Sequence, residues 1–288
     1  MGWPEPAVYM RWTQFGCFSP LMRCHGRTPR EPWNYGTAAV DNYKFCAWVR
    51  ENLLDYIYNA AADAHETGIP IMRSMAMAFP GEVSDAANSG QFMFGRDLLV
   101  VPVVTEDNNK TMAIPPGKWT DLWSGQTSQG PTNFTMYVPL DTIPVYLRPG
   151  AVVPVYLNRD LRFGQSMSGG KVRALIVTPP NVYEETGFEY DVAPRSPGPA
   201  RYTPGAEVAL RPGASGFAVT LNRFGRDYLL VYGVNDVRSV TVDGVNLPKV
   251  AETKFASMQL GWATDSAINR IIIRLPPNRS RMEIEITF

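Results

Sequence analysis

The feature that most constrains this chain is a change of hydrophobic period after Ile69. Ahead of it, Val40, Tyr43, Ala47, Leu54, Ile57 and Ala61 recur at helical spacing, and Gly68 and Pro70 stop the pattern. Behind it, the run Ile71–Phe79 has the apolar richness and partial alternation of a strand, with Arg73 its one charged member. Short apolar stretches then follow at Phe92–Phe94, Leu98–Val104, Thr111–Ile114, Phe134–Val138 and Val145–Leu147, separated by Gly, Pro, Asn and Asp turns. Strands in that rhythm, without helices between them, predict a β-sandwich. A second β module begins after Val155, with its clearest strands at Val172–Thr178, Phe217–Leu221, Tyr228–Val234, Ser239–Val242, Ile268–Leu275 and Met282–Phe288. Asp243-Gly244 is a two-residue hairpin turn. The stretch Arg195–Pro212 is rich in Pro and Gly and reads as a surface excursion.

The first 70 residues read differently. Residues 5–16 predict a short helix, with Pro6 tolerated in its first turn and Gly16 ending it. Phe18–Arg23 predicts a strand, although Pro20 suits an edge or a bend better than a regular ladder. Gly26–Thr37 reads as a loop, with Thr37 as cap of one long helix from Ala38 to Glu66. Asp41, Glu51, Asp55, Asp63 and Glu66 fall on this helix and are assigned to its polar face, solvated or structural. His65, in its last turn, suits the helix dipole and is read as structural.

Lys+Arg and Asp+Glu are both 27, so there is no basic excess to draw the chain to nucleic acid or to an acidic membrane surface. No apolar run of membrane-spanning length occurs, so no membrane partner is expected. Cys17, Cys24 and Cys46 match no zinc spacing and read as free thiols, and no metal or cofactor is expected. Three Asn-x-Ser/Thr triplets, at Asn109, Asn133 and Asn278, are what a chain of this composition yields by chance. Trp119 and Trp123 flank a Thr-Asp-Leu after Pro-Pro-Gly, where core packing is favoured over ligand stacking.

The candidate binding residues lie between Tyr9 and Gly36, which hold Tyr9, Trp12, Phe15, Phe18, Trp33 and Tyr35, the arginines 11, 23, 27 and 30, and His25. Flat aromatic faces and forked or ring N–H donors are the groups that hold a polar ring compound. His25 is the sharpest member, since the chain has 2 histidines. A lone histidine after an apolar run is also an ordinary structural residue. Arg23 reads equally as a partner of a nearby carboxylate, and Trp12 equally as core.

The order Tyr-x-Arg-Trp-x-Gln-Phe-Gly at residues 9–16, Phe-Ser-Pro-x-x-Arg-x-His-Gly at 18–26 and Glu-Pro-Trp at 31–33 resembles glycoside hydrolase family 31, the α-glucosidases and α-xylosidases. The resemblance continues through Thr67–Arg73, Gln91–Gly95, Leu98–Val103, Pro116–Trp123 and Ile143–Gly150. It implies the carboxy-terminal remnant of a (β/α)8 TIM barrel over 1–70, then two all-β sandwich domains, proximal over 71–155 and distal over 156–288. It also implies terminal α-linked glucose or xylose as the partner. His25 and Arg23, with Trp12 and Trp33 as wall residues, are carried over as substrate-binding. Family members place their two catalytic aspartates ahead of the Tyr-x-Arg-Trp segment, which puts both before Met1 and makes an amino-terminal barrel half the expected partner in the intact parent. Retaining hydrolysis needs two carboxyl groups about 5–5.5 Å apart, and residues 1–72 offer no convincing pair, so the chain alone is expected to be inactive. The alternative is a non-catalytic carbohydrate-binding or structural β-sandwich protein with a vestigial barrel remnant. Tyr183–Asp191 looks like a diverged form of an acidic, glycine-containing family segment and is taken as a solvated hairpin. Within this chain the strand at Phe18–Arg23 would lack both barrel neighbours, and the long helix would find only part of its cover.

Overall fold

The computed structural model describes residues 4–81, 90–181, 186–192, 203–223, 225–251, 259–277 and 279–288. Among these, the chain is mostly β-sheet with few helices. Helix α1 spans Pro6–Cys17, and after a single 3-10 turn at Pro32–Tyr35 come α2, Thr37–Asn52, and α3, Leu54–Thr67. The strand expected over Ile71–Phe79 is limited to β1, Met72–Ser74, because the Ser74 side chain caps Met77 N–H and turns Met75–Ala78 into the short helix α4. The first sheet is completed by β2 (Phe92–Phe94), β3 (Leu98–Val100), β4 (Asn109–Asp121), β5 (Thr127–Tyr137) and β6 (Val145–Leu147), in the spatial order β1-β2-β3-β6-β4-β5.

Two further sheets follow. One contains β7 (Val152–Leu157), β8 (Val172–Val177), β12 (Tyr228–Tyr232), β15 (Gly261–Asp265) and β16 (Arg270–Arg274), ordered β15-β16-β12-β8-β7. The other contains β9 (Thr186–Val192), β10 (Thr203–Gly213), β11 (Gly216–Asn222), β13 (Ser239–Val242), β14 (Val245–Asn246) and β17 (Arg281–Thr287), ordered β14-β13-β17-β11-β10-β9. Strand β7 crosses residue 155, where the sequence spacing sets the module boundary, and pairs with β8 over its whole length.

Why the five-stranded sheet lies at the centre is visible in β12. Its run Tyr-Leu-Leu-Val-Tyr has no polar alternation because both faces are covered. Leu229 and Val231 join Leu175, Ile271 and Ile273 in a core shared with the third sheet, where they meet Val219, Ile284 and Ile286. Tyr228, Leu230 and Tyr232 point the other way, into a core shared with the first sheet and the helices. The helical stripe Cys46, Val49, Leu53 and Tyr56 fills that second core together with Phe18, Phe94 and Leu98. The apolar face of α2 and α3 is therefore covered by β-sheet from both modules.

Several expectations for the first 70 residues are corrected. Phe18–Arg23 forms no strand, and among the described residues 4–70 none is in a sheet. A strand needs a ladder partner for its N–H and C=O groups. Here the Arg50 guanidinium takes the carbonyls instead, donating to Cys17 O at 3.0 Å, Ser19 O at 2.6 Å, Pro20 O at 3.1 Å and Gly16 O at 3.4 Å. The long helix is two helices, because Leu53 departs to φ −90°, ψ 9°. Thr37 is the first helical residue and makes no capping bond. Asp55 is not on a solvated face: it is buried against Arg226. Residues 203–212 of the expected excursion belong to β10, and 193–202 lie outside the described residues, as do 183–185 of the Tyr183–Asp191 segment and Asn278.

Other local signals act as the sequence suggests. Gly68 ends α3 in the left-handed region at φ 73°, its N–H returning to Ala64 O. Asp243 and Gly244, at φ 51° and 77°, turn β13 into β14. Trp119 is buried edge-on against Phe79, and Trp123 packs on Phe18, Phe45 and Phe163.

Candidate functional site

The candidate residues gather where α1 meets α2. Arg11 fixes α1 to the first sheet by donating to Thr142 O at 2.7 Å, Asn108 Oδ1 at 2.7 Å, Val138 O at 2.8 Å and Gln14 Oε1 at 3.1 Å. Gln14 adds a bond to Leu140 O at 2.7 Å. These groups hold protein rather than ligand. With the inner face of α1 pinned, its outer face carries Val8, Trp12 and Phe15 into solvent, and Trp12 is 73% exposed.

The loop after α1 is strapped to the same helix. Tyr9 and Tyr35 stack at 4.0 Å with 10° between planes, and the Tyr9 hydroxyl donates to Arg30 O at 2.8 Å. Arg30 donates to the Tyr35 hydroxyl at 3.0 Å, which in turn donates to Pro29 O at 3.0 Å. Burial, with the Cys24 thiol alongside, pushes the Tyr9 and Tyr43 phenols up, so both remain protonated at neutral pH. Tyr9 and Tyr35, which read from sequence as ring-stacking candidates, are thus struts. Arg30, one of the sequence candidates, lines the site, and so does Tyr43, which the sequence reading did not single out. The one local hint is that Tyr43 lies on the side of α2 that also carries Cys46.

Between these elements runs a groove of about 510 Å³, walled by the apolar side chains of Val8, Trp12, Phe15, Leu21 and Met22 and by the polar Arg23, His25 and Arg30. Arg23 Nη2 lies 2.9 Å from His25 Nδ1, at the surface. A guanidinium has no acceptor, so it donates here and Nδ1 accepts, which leaves Nε2 as the ring's N–H donor. Trp33 is not in this groove. It lines an adjoining one of about 550 Å³ that shares Cys24, Arg30 and Tyr43 as a common wall. His65 is exposed in the last turn of α3, away from both.

Among the described residues, no carboxylate lines the first groove, and no cluster of three or more His, Cys, Asp or Glu could hold a metal ion. Among the described residues, no helix is long and apolar enough to cross a membrane. The carboxylates that are buried lie elsewhere. Asp97, between β2 and β3, is pushed up to about 6 by burial, against the opposing charges of Arg96, Arg148 and Arg73. A folded-state value above the unfolded one gives stability that is full below pH ~4 and lost as pH rises through about 6. Asp97 alone should therefore make the chain about 3 kcal/mol less stable at neutral pH than at pH ~4. Urea unfolding across that range should show the slope in the native chain and not in Asp97→Asn. An unchanged slope would remove Asp97 as its source.

Two family models match the chain: the glycosyl hydrolases family 31 TIM-barrel domain over residues 2–60 and the glycosyl hydrolase family 31 C-terminal domain over residues 68–153. An isomaltosyltransferase of Sporosarcina globispora is 32% identical over 176 residues, 56% of this chain and 16% of that protein. An alpha-xylosidase of Emericella nidulans is 33% identical over 177 residues, 58% of this chain and 23% of that protein. Among solved structures, the cycloalternan-forming enzyme from Listeria monocytogenes in complex with pentasaccharide substrate is similar over 100% of this chain and 28% of its own, with TM-score 0.84 and 26% identity. The Flavobacterium johnsoniae dextranase mutant complexed with isomaltotriose is similar over 98% of this chain and 37% of its own, with TM-score 0.80 and 27% identity. The chain thus spans less than two fifths of each of these proteins.

Proposed function

Because the chain belongs to glycoside hydrolase family 31, we propose that it is the carboxy-terminal portion of a retaining α-glycosidase acting on terminal α-linked glucose or xylose. Residues 1–70 are the closing part of its catalytic barrel, 71–155 its proximal β module and 156–288 its distal one. The observation that carries the reading is the groove itself. Its wall offers N–H donors at Arg23 and His25, the hydrogen-bonding chemistry that sugar hydroxyls need, together with the exposed ring of Trp12. The same groove carries an apolar wall of Val8, Phe15, Leu21 and Met22, with Leu21 87% exposed. Such a wall suits protein cover better than a hydroxyl-rich ligand, and the preceding barrel segments are the cover proposed here.

In that assembly His25 Nε2–H donates to a hydroxyl of the bound sugar, Arg23 holds the ring in that tautomer, and Trp12 and Trp33 form walls. The bond-breaking step belongs to two carboxyl groups outside this chain: one attacks the anomeric carbon, and the other protonates the leaving oxygen and then activates water. Acetal cleavage without such a pair is negligible, so the purified chain should show no turnover of aryl α-glucosides or aryl α-xylosides at any pH tested. Turnover that co-purifies with the chain, and that disappears when one of its own carboxylates is changed, would overturn the proposal. When the chain is joined to the preceding barrel segments, turnover should appear. His25→Ala should then lower kcat/KM by the equivalent of roughly 2–4 kcal/mol.

A further inference from the structure

We infer that Cys17 and Cys46 are a redox-sensitive lock between α1 and α2, closed by a disulfide under oxidising conditions. Cys17 ends α1 and Cys46 lies within α2; both are in the core these helices share with the sheets and are 0% and 1% exposed. The Cys17 thiol donates to Cys46 O at 3.3 Å, which brings the two residues directly against each other. Nothing in the groove uses either thiol, whereas the third cysteine, Cys24, is exposed on the groove wall. Cys17 also lies six residues before Arg23, in the segment whose carbonyls Arg50 holds. A covalent tie at this point would fix the end of α1 and the start of the loop that carries Arg23 and His25.

The chemistry balances with a small-molecule disulfide as oxidant. Two S–H bonds break, one Sγ–Sγ bond forms between Cys17 and Cys46, and the oxidant takes up two electrons and two protons to leave as two thiols. Burial pushes the Cys17 thiol well up, with Cys46 adding to it and the Arg50 charge working the other way. The thiolate that starts the exchange is scarce as a result, so closure is slow and quickens with rising pH.

The test uses the full chain carrying Cys24→Ser, a change at an exposed position, incubated with oxidised glutathione at mildly alkaline pH. The expected product is a monomer lighter by two hydrogen masses, with a peptide pair joining Cys17 to Cys46. Its urea midpoint should be higher than that of the reduced chain, and dithiothreitol should reverse the change. Cys46→Ala in the same background should abolish the product, and it keeps a small apolar group in the core if Cys46→Ser fails to fold. Two thiols still open to alkylation after denaturation, glutathione adducts alone, or only intermolecular dimers would each overturn the inference. So would a wild-type chain whose sole disulfide involves Cys24.

Discussion

Arg226→Ala should destabilise the chain by about 3–5 kcal/mol, the largest loss expected from any single substitution considered for it. Arg226 Nη2 lies 2.6 Å from Asp55 Oδ2, and the two side chains are 4% and 1% exposed. Arg226 also reaches Val155 O at 3.5 Å and lies over the Tyr156 ring at 5.5 Å. Removing the guanidinium leaves a buried carboxylate without its cation, and breaking such a pair costs far more than the pair itself contributes. Asp55 lies in the first turn of α3 and Arg226 precedes β12, so the loss should also weaken the join between the helices and the distal sheets. Urea unfolding supplies the magnitude, and hydrogen exchange should show protection lost on both α3 and β12. Replacing both residues together, Asp55→Leu with Arg226→Met, should recover most of the stability, because no charge is then left in the core. A single-variant loss below about 1 kcal/mol would mean that the pair is solvated, as surface pairs are.

Arg50→Ala should cost roughly 3–4 kcal/mol and act locally. One guanidinium supports four carbonyls between Gly16 and Pro20. Hydrogen bonds from a charged donor contribute about 1.5–3 kcal/mol each when counted singly, and bonds that share one group do not add. Without Arg50 the segment that leads to Arg23 and His25 has neither a sheet nor a cation to hold it. Amides of residues 16–25 should exchange quickly while those of the distal sheets keep their protection. Arg50→Lys should rescue little, since an ammonium is a point donor and cannot fork across carbonyls on two sides. Protection of residues 16–25 equal to the native chain would show that packing of Phe18 alone fixes the segment.

These two residues mark the limit of what local pattern could tell. Arg50 occupies an ordinary helical position, and nothing near it in sequence announces that it closes a segment thirty residues earlier. Asp55 is one acidic residue among five on the same helical stretch, and periodicity gave it the same polar face, solvated or structural, as Asp41, which is exposed. Arg11 stands inside the aromatic motif and looks like a ligand-binding group by composition. Its partners, at residues 108, 138 and 142, are brought to it only by the first sheet. Arg23, His25 and Trp12 line one groove, whereas Trp33 stands on the far side of the shared wall of Cys24, Arg30 and Tyr43.

The sequence by itself determined the features that depend on neighbours along the chain. The change from helical to strand period after Ile69, the left-handed stop at Gly68, the Asp243-Gly244 turn and the continuous apolar run of β12 all follow from the φ/ψ preferences and side-chain periods of adjacent residues. Only the tertiary structure decided whether Phe18–Arg23 pairs as a strand, which carboxylate enters the core and which arginine holds backbone rather than ligand. The reason is physical: an apolar run is not a strand until another strand meets its N–H and C=O groups, and a charge is neither buried nor exposed until a distant partner reaches it.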